Sequence, residues 1–126
     1  MFHVVYSGVI GLQDVLGFFD QFEMDFLSAP NHHELCDARQ VEDVTITPQE
    51  LDAVLSLVVG IYRRNDCRKK IAFVAADGSA KVTMDAVVRR LAVDLPSVQC
   101  ARFDTSAPAL DFIGLPTNFA MRRALH

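Results

Sequence analysis

Apolar positions along the chain switch repeatedly between two spacings. Phe2 to Tyr6 is a short run of Val and aromatic residues ended by Ser7-Gly8, which reads as a buried strand. From Gln13 the spacing lengthens. Val15, Phe18, Phe19, Phe22 and Phe26 recur at three- and four-residue steps and make one helix face, while Asp14, Asp20, Gln21 and Asp25 fall largely off it. Ser28-Ala-Pro30-Asn31 ends this helix, because proline disfavours helical geometry in the residue before it. His33 to Ala38 predicts a second strand centred on Leu35 and Cys36. Arg39 to Asp43 reads as a polar loop, and Val44-Thr45-Ile46 as extended.

Thr47-Pro48-Gln49-Glu50 is a helix start. Thr47 caps, Pro48 suits the first helical position, and Glu50 stands where a capping box requires it. The helix carries Leu51, Val54, Leu55, Val58, Ile61 and Tyr62, with Leu57 and Val59 widening the stripe. Arg63 to Lys70 is a basic turn and is read as a solvated charge run. Arg89-Arg90 is read the same way. Ile71 to Ala76 lacks alternation, as a central strand buried on both faces does. Asp77-Gly78-Ser79 turns into a third helix, with Ser79 as its cap and Met84, Val87, Val88 and Leu91 on one face. Leu95-Pro96-Ser97 stops it. Val98 to Phe103 is the last strand, and Asp104-Thr105-Ser106 caps a short helix carrying Ala109, Leu110, Phe112 and Ile113.

Strand and helix therefore alternate four times. This order predicts an α/β fold of about four strands in a mainly parallel sheet, with helices packed on it through right-handed crossovers. One domain is expected over residues 1–126, with a core of about 2–115 and a tail at 116–126. The 126-residue length agrees with one domain, and the 51% hydrophobic content is enough to bury a core.

A formal net charge of -4 argues against a nucleic-acid partner. The longest apolar stretch, Leu51 to Tyr62, is broken by Asp52, Ser56 and Gly60, so no integral membrane segment is expected. The N-terminus lacks the charged flank of a secretory signal. Three widely spaced cysteines, Cys36, Cys67 and Cys100, fit free thiols in a cytoplasmic protein.

Candidate chemistry is sparse. In an open parallel sheet, ligands sit outside the carboxyl ends of the strands, and helix N-termini there favour anions. The expected strand ends are Ser7-Gly8, Asp37-Ala38-Arg39, Asp77-Gly78-Ser79 and Asp104-Thr105-Ser106. Ligand contacts are accordingly assigned to Asp37, Arg39, Thr47, Asp77 and Ser79. The competing reading is that Asp37 and Arg39 pair with loop backbone or with each other and hold the loop shape. His32-His33 cannot readily share one ion, because adjacent strand residues point to opposite faces. No metal, cofactor or catalytic group is assigned, and a catalytic role for Asp37, Arg39 and Asp77 has no nucleophile motif behind it.

The stretch from His33 to Leu51 resembles the SpoIIAA-like group of STAS-type domains, which is related to sulfate transporter and anti-sigma-factor antagonist domains. The likeness lies in Asp37-Ala-Arg39, the Val41 to Val44 step and the Thr47-Pro48 helix start. Tyr6-Ser-Gly-Val-Ile resembles that group's first strand and bend. Val98 to Asp104 with Ala109 to Gly114 resembles its closing strand and helix. The resemblance implies a non-enzymatic regulatory or protein-interaction module, and the broad apolar face of the Leu51 to Tyr62 helix with the Phe-rich first helix adds the expectation of a homodimer or another protein partner. It also admits a small-molecule or lipid binder, with a small apolar or anionic ligand in a pocket at the carboxyl rim. The Asp-Ser phosphoacceptor of anti-sigma antagonists is replaced here by Ile46-Thr47-Pro48, with Thr47 engaged in capping.

Overall fold

The structure, a computed structural model, describes residues 2–28 and 31–115, with residues 21–28 described in backbone alone. The expected helix face at Phe22 and Phe26, the stop at Pro30 and the tail 116–126 lie outside the residues and side chains described. The elements are β1 (Phe2–Ile10), α1 (Leu12–Ser28), β2 (Glu34–Val44), α2 (Pro48–Arg64), β3 (Lys70–Val74), α3 (Gly78–Asp94), β4 (Gln99–Phe103) and α4 (Ser106–Ile113).

The four strands form one sheet in the order β1-β2-β3-β4, every neighbouring pair parallel. Each crossover therefore steps to the next strand in the same direction. With right-handed connections, that order puts α1, α2 and α3 on the same face of the sheet. The packing agrees. Cys36, Ile71 and Phe73 meet Val54, Val58 and Tyr62 of α2 and Leu91 of α3 on one face, with Val15 and Phe19 of α1 at the margin. Leu35, Ala72 and Val74 point the other way, onto Ala109, Leu110 and Ile113 of α4. The apolar run of β3 is thus buried on both faces.

The sequence reading stops β1 at Tyr6 and makes Arg39 to Asp43 a loop. Both segments are strand. Pairing of β1 with β2 runs from Phe2↔Glu34 to Ile10↔Val44, with breaks between Val5 and Ser7 and between Gly8 and Val9. At each break β2 carries one extra residue, which is a β-bulge. Gly8, in the second irregular stretch, has φ +75, a conformation that side chains with a Cβ rarely adopt. The bulges change which residues of β2 face the helices. Inward positions fall at Ala38, Val41 and Val44, three residues apart, so the alternation expected of a strand disappears.

Local signals explain the helix ends. Glu50 N donates to Thr47 Oγ1 at 3.1 Å and Thr47 N donates to Glu50 Oε1 at 2.9 Å, which completes the capping box of α2. α4 ends at Gly114, left-handed at φ 91, whose N–H donates to Leu110 O at 3.0 Å. The cap of α3 differs from expectation. Asp77 occupies the N-cap position without a side-chain bond, and Ser79 Oγ instead donates to Asp43 Oδ1 at 2.7 Å while accepting from Val44 N at 2.8 Å. Ser79 thereby ties the end of β2 to the start of α3. At α4, Thr105 holds the N-cap position, likewise without a side-chain bond.

Candidate apolar cavity and its polar end

A cavity of about 160 Å3 lies between the sheet and the three helices on its first face. Its walls are Ile10 of β1, Cys36, Ala38, Val41 and Val44 of β2, Val15, Phe18 and Phe19 of α1, Val54, Leu55 and Val58 of α2, Ile71 and Phe73 of β3, and Ala80, Met84, Val87 and Leu91 of α3. None of α1's described side chains is fully buried, whereas α2 buries six residues. Tyr6 and Phe18 meet edge to face at 5.9 Å, as do Phe18 and Phe19 at 5.4 Å, and these rings line the α1 side.

Polar groups on the lining are few: the Glu34 carboxylate and the side chains of Tyr6, Tyr62 and Thr83. Glu34 opens β2 and Lys69 immediately precedes β3, so the two stand side by side at the amino end of the sheet. Both are buried, and the Lys69 side chain is wholly so. Their charged groups form an ion pair. Tyr62 OH donates to Glu34 Oε2 at 2.7 Å, and the Lys69 ammonium stands 4.3 Å from the centre of the Tyr62 ring. Burial, and then the negative charge of Glu34, push the Tyr62 hydroxyl well above its usual range.

Such an arrangement is costly to build. Charges taken out of water recover their desolvation penalty only with good geometry, and an apolar group of equal volume often stabilises a fold as well. Losing one partner alone costs about 3–5 kcal/mol. Stability therefore gives no reason for a buried ion pair whose carboxylate lines an otherwise apolar cavity.

The carboxyl end of the cavity is shallower. Val41, Val44, Ile46 and Leu51 there are half-buried. Thr47 stands beside this end with its hydroxyl in the capping box. Asp77 and Ser79 begin α3 on the same rim, Ser79 in its bond with Asp43. Asp37 and Arg39 lie elsewhere. They sit within β2, not past its end, and belong to the parity of Leu35, which faces α4. Arg39 Nε donates to Asp37 Oδ1 at 2.9 Å and Nη2 to Oδ2 at 2.6 Å, a two-pronged contact. Burial raises the Asp37 carboxyl, but the Arg39 hydrogen bonds and charge outweigh it and hold the group below its ordinary value. The five residues assigned from sequence thus fall into a rim group (Thr47, Asp77, Ser79) and a pair on the opposite face (Asp37, Arg39).

His3 stands on that opposite face, paired in register with Leu35. Its Nε2 is buried with no hydrogen-bond partner, and burial lowers its pKa. His33 Nδ1 accepts from Lys70 N at 2.9 Å. The thiols are poor nucleophiles. Burial pushes Cys36 well above its usual range and Cys100 up to about 12, and it raises Cys67 as well.

Glu34 and Lys69 are the functional candidates that sequence reasoning missed. Lys69 lies inside the run read as solvated charge, and Glu34 inside the strand His33 to Ala38 whose expected centre is Leu35 and Cys36. A signal existed. Glu34 shares the parity of Cys36, and Lys69 that of Ile71 and Phe73, so both extend the inward-facing set of their strands. Arg90 also departs from the solvated reading. It bridges α3 to α2 through Asp52 at 2.5 Å and Ser56 at 3.1 Å. Among the described residues, no helix is long and apolar enough to cross a membrane.

Compared with protein-family models, with curated proteins and with solved structures, the chain matches none.

Proposed function

We propose that this protein is a non-enzymatic binding module that takes a small apolar molecule into the cavity between its sheet and α1, α2 and α3. The cavity itself carries the reading. Protein interiors pack to crystal-like density, and voids much larger than a water are few. An engineered apolar cavity of about 150 Å3 stays dry and admits benzene. The cavity here is of that size and has an almost wholly apolar wall. On this reading the ligand sits beneath the helices and not at a rim built from Asp37 and Arg39. The reading agrees with the resemblance to STAS-type domains, whose expected roles are regulatory or ligand-binding.

Thermal unfolding with and without toluene tests it. Toluene at about ten times its dissociation constant is expected to raise the midpoint by about 5 °C. Val58→Phe, which fills the middle of the cavity, is expected to abolish that rise. An unchanged midpoint in the wild-type protein, or an equal rise in the variant, contradicts the proposal.

A second reading, a homodimeric interaction module, has one observation in its favour. Val82 and Val93 are 69% and 80% exposed and lie eleven residues apart on α3, on one outward face. Sedimentation of the wild-type protein and of Val82→Glu/Val93→Glu tests this. A dimer that the double variant dissociates supports it, and a wild-type monomer rejects it.

A further inference from the structure

We propose that the cavity selects apolar molecules that carry a hydrogen-bond donor, of which a single-ring phenol is the simplest, and that the Glu34 carboxylate receives that donor. The proposal rests on the small-molecule reading above and adds the chemistry of the ligand's polar end.

Glu34 is only 5% exposed, yet it forms part of the cavity wall. Its Oε2 accepts from Tyr62 OH at 2.7 Å and is paired with the Lys69 ammonium. Its Oε1 accepts no hydrogen bond among the described residues. A buried carboxylate has about four acceptor positions and is costly to leave partly unsatisfied. The structure thus holds, on the wall of the cavity, an acceptor oxygen to which no described side chain donates.

Charge decides which head group fits. Lys69 compensates the carboxylate from behind and is not part of the cavity wall. The pair is neutral together, so a neutral donor adds a bond without adding a charge. An anionic head meets the carboxylate before it meets the ammonium, and both repulsion and lost hydration oppose it. In a wholly apolar cavity a hydroxyl forfeits its bonds to water, so phenols are rejected where benzene is accepted. Here Glu34 returns the lost bond. Size sets the remainder: about 160 Å3 holds one ring with a short substituent, its apolar part against Val58, Phe73 and Met84.

Three probes that share a methylbenzene frame, toluene, para-cresol and para-toluate, separate the possibilities when titrated into the full chain by calorimetry. Para-cresol is expected to bind at least as tightly as toluene, and para-toluate about tenfold or more weaker than para-cresol. Para-cresol binding about tenfold weaker than toluene overturns the proposal while leaving the apolar cavity standing. Para-toluate binding as tightly as para-cresol also overturns it, in favour of anion recognition through Lys69. Failure of toluene and para-cresol alike rejects the underlying small-molecule reading. Glu34→Gln alone leaves Lys69 buried without its counter-charge and can fail to fold. The variant of choice is therefore Glu34→Met/Tyr62→Phe/Lys69→Met, which removes the buried polar groups together. It is expected to keep toluene affinity within about threefold and to lose para-cresol affinity by about tenfold or more. Undiminished para-cresol binding in this variant contradicts the role of Glu34. The wild-type series decides the matter independently of whether the triple variant folds.

Discussion

Asp37 and Arg39 show how one residue's surroundings reverse its chemistry. Asp37 is 4% exposed, and burial alone disfavours its charge, yet the two-pronged contact from Arg39 holds its carboxyl below the ordinary value. A carboxyl with a lowered folded-state pKa contributes stability that is present above its unfolded value and lost as pH falls through the folded one. Arg39→Met leaves the burial without the compensation. The Asp37 contribution then changes sign, and the charged form becomes a cost. The stability difference between wild type and Arg39→Met is expected to be about 1–2 kcal/mol near neutral pH, moderated by the half-exposed Arg39 side chain, and to be smaller at about pH 3, below the ordinary carboxylate range. Urea denaturation at the two pH values checks this, and a pH-independent difference contradicts it. The pairing of these two residues was legible in the sequence as the competing reading of the motif. The burial of Glu34 and Lys69 was not. Seven of the eight residues from Arg63 to Lys70 are polar, and which of these turns inward is fixed by the register of β3 and not by composition.

At the level of elements, helix starts were the most legible feature because capping is local chemistry. The Thr47 and Glu50 bonds occur as the spacing predicts. Thr47→Ala is expected to cost about 1 kcal/mol, measured by chemical denaturation, with no loss of toluene binding because the hydroxyl serves the cap and not the cavity. A loss of binding at unchanged stability contradicts that division of roles. Helix α3 shows the limit of local reading: Ser79 looks like a cap in sequence, but bonds to Asp43 across 36 positions of chain. Strand β2 was the least legible element. Two bulges stretch its inward spacing from two residues to three, so Val41 and Val44 no longer alternate with Ala38 and the segment reads as a loop. Those bulges also give the cavity two of its walls.

The whole molecule combines a legible topology with an illegible cavity. Four alternations of strand and helix indicate a parallel sheet, and sequential strand order with right-handed crossovers gathers α1, α2 and α3 on one face. Among the described elements α4 alone lies on the other face, and because it follows the last strand no crossover fixes its side. A cavity, by contrast, is the difference between the volume enclosed by six elements and the side chains that fill it, and no stretch of sequence carries that sum. The most direct measurement is a toluene titration followed through the methyl resonances of both faces. Saturable shifts are expected at Val54, Val58, Ile71 and Leu91, which line the cavity, while Leu110 and Ile113 beneath α4 stay still. Shifts that do not saturate, or that fall equally on the two faces, contradict a binding site between the sheet and its three helices.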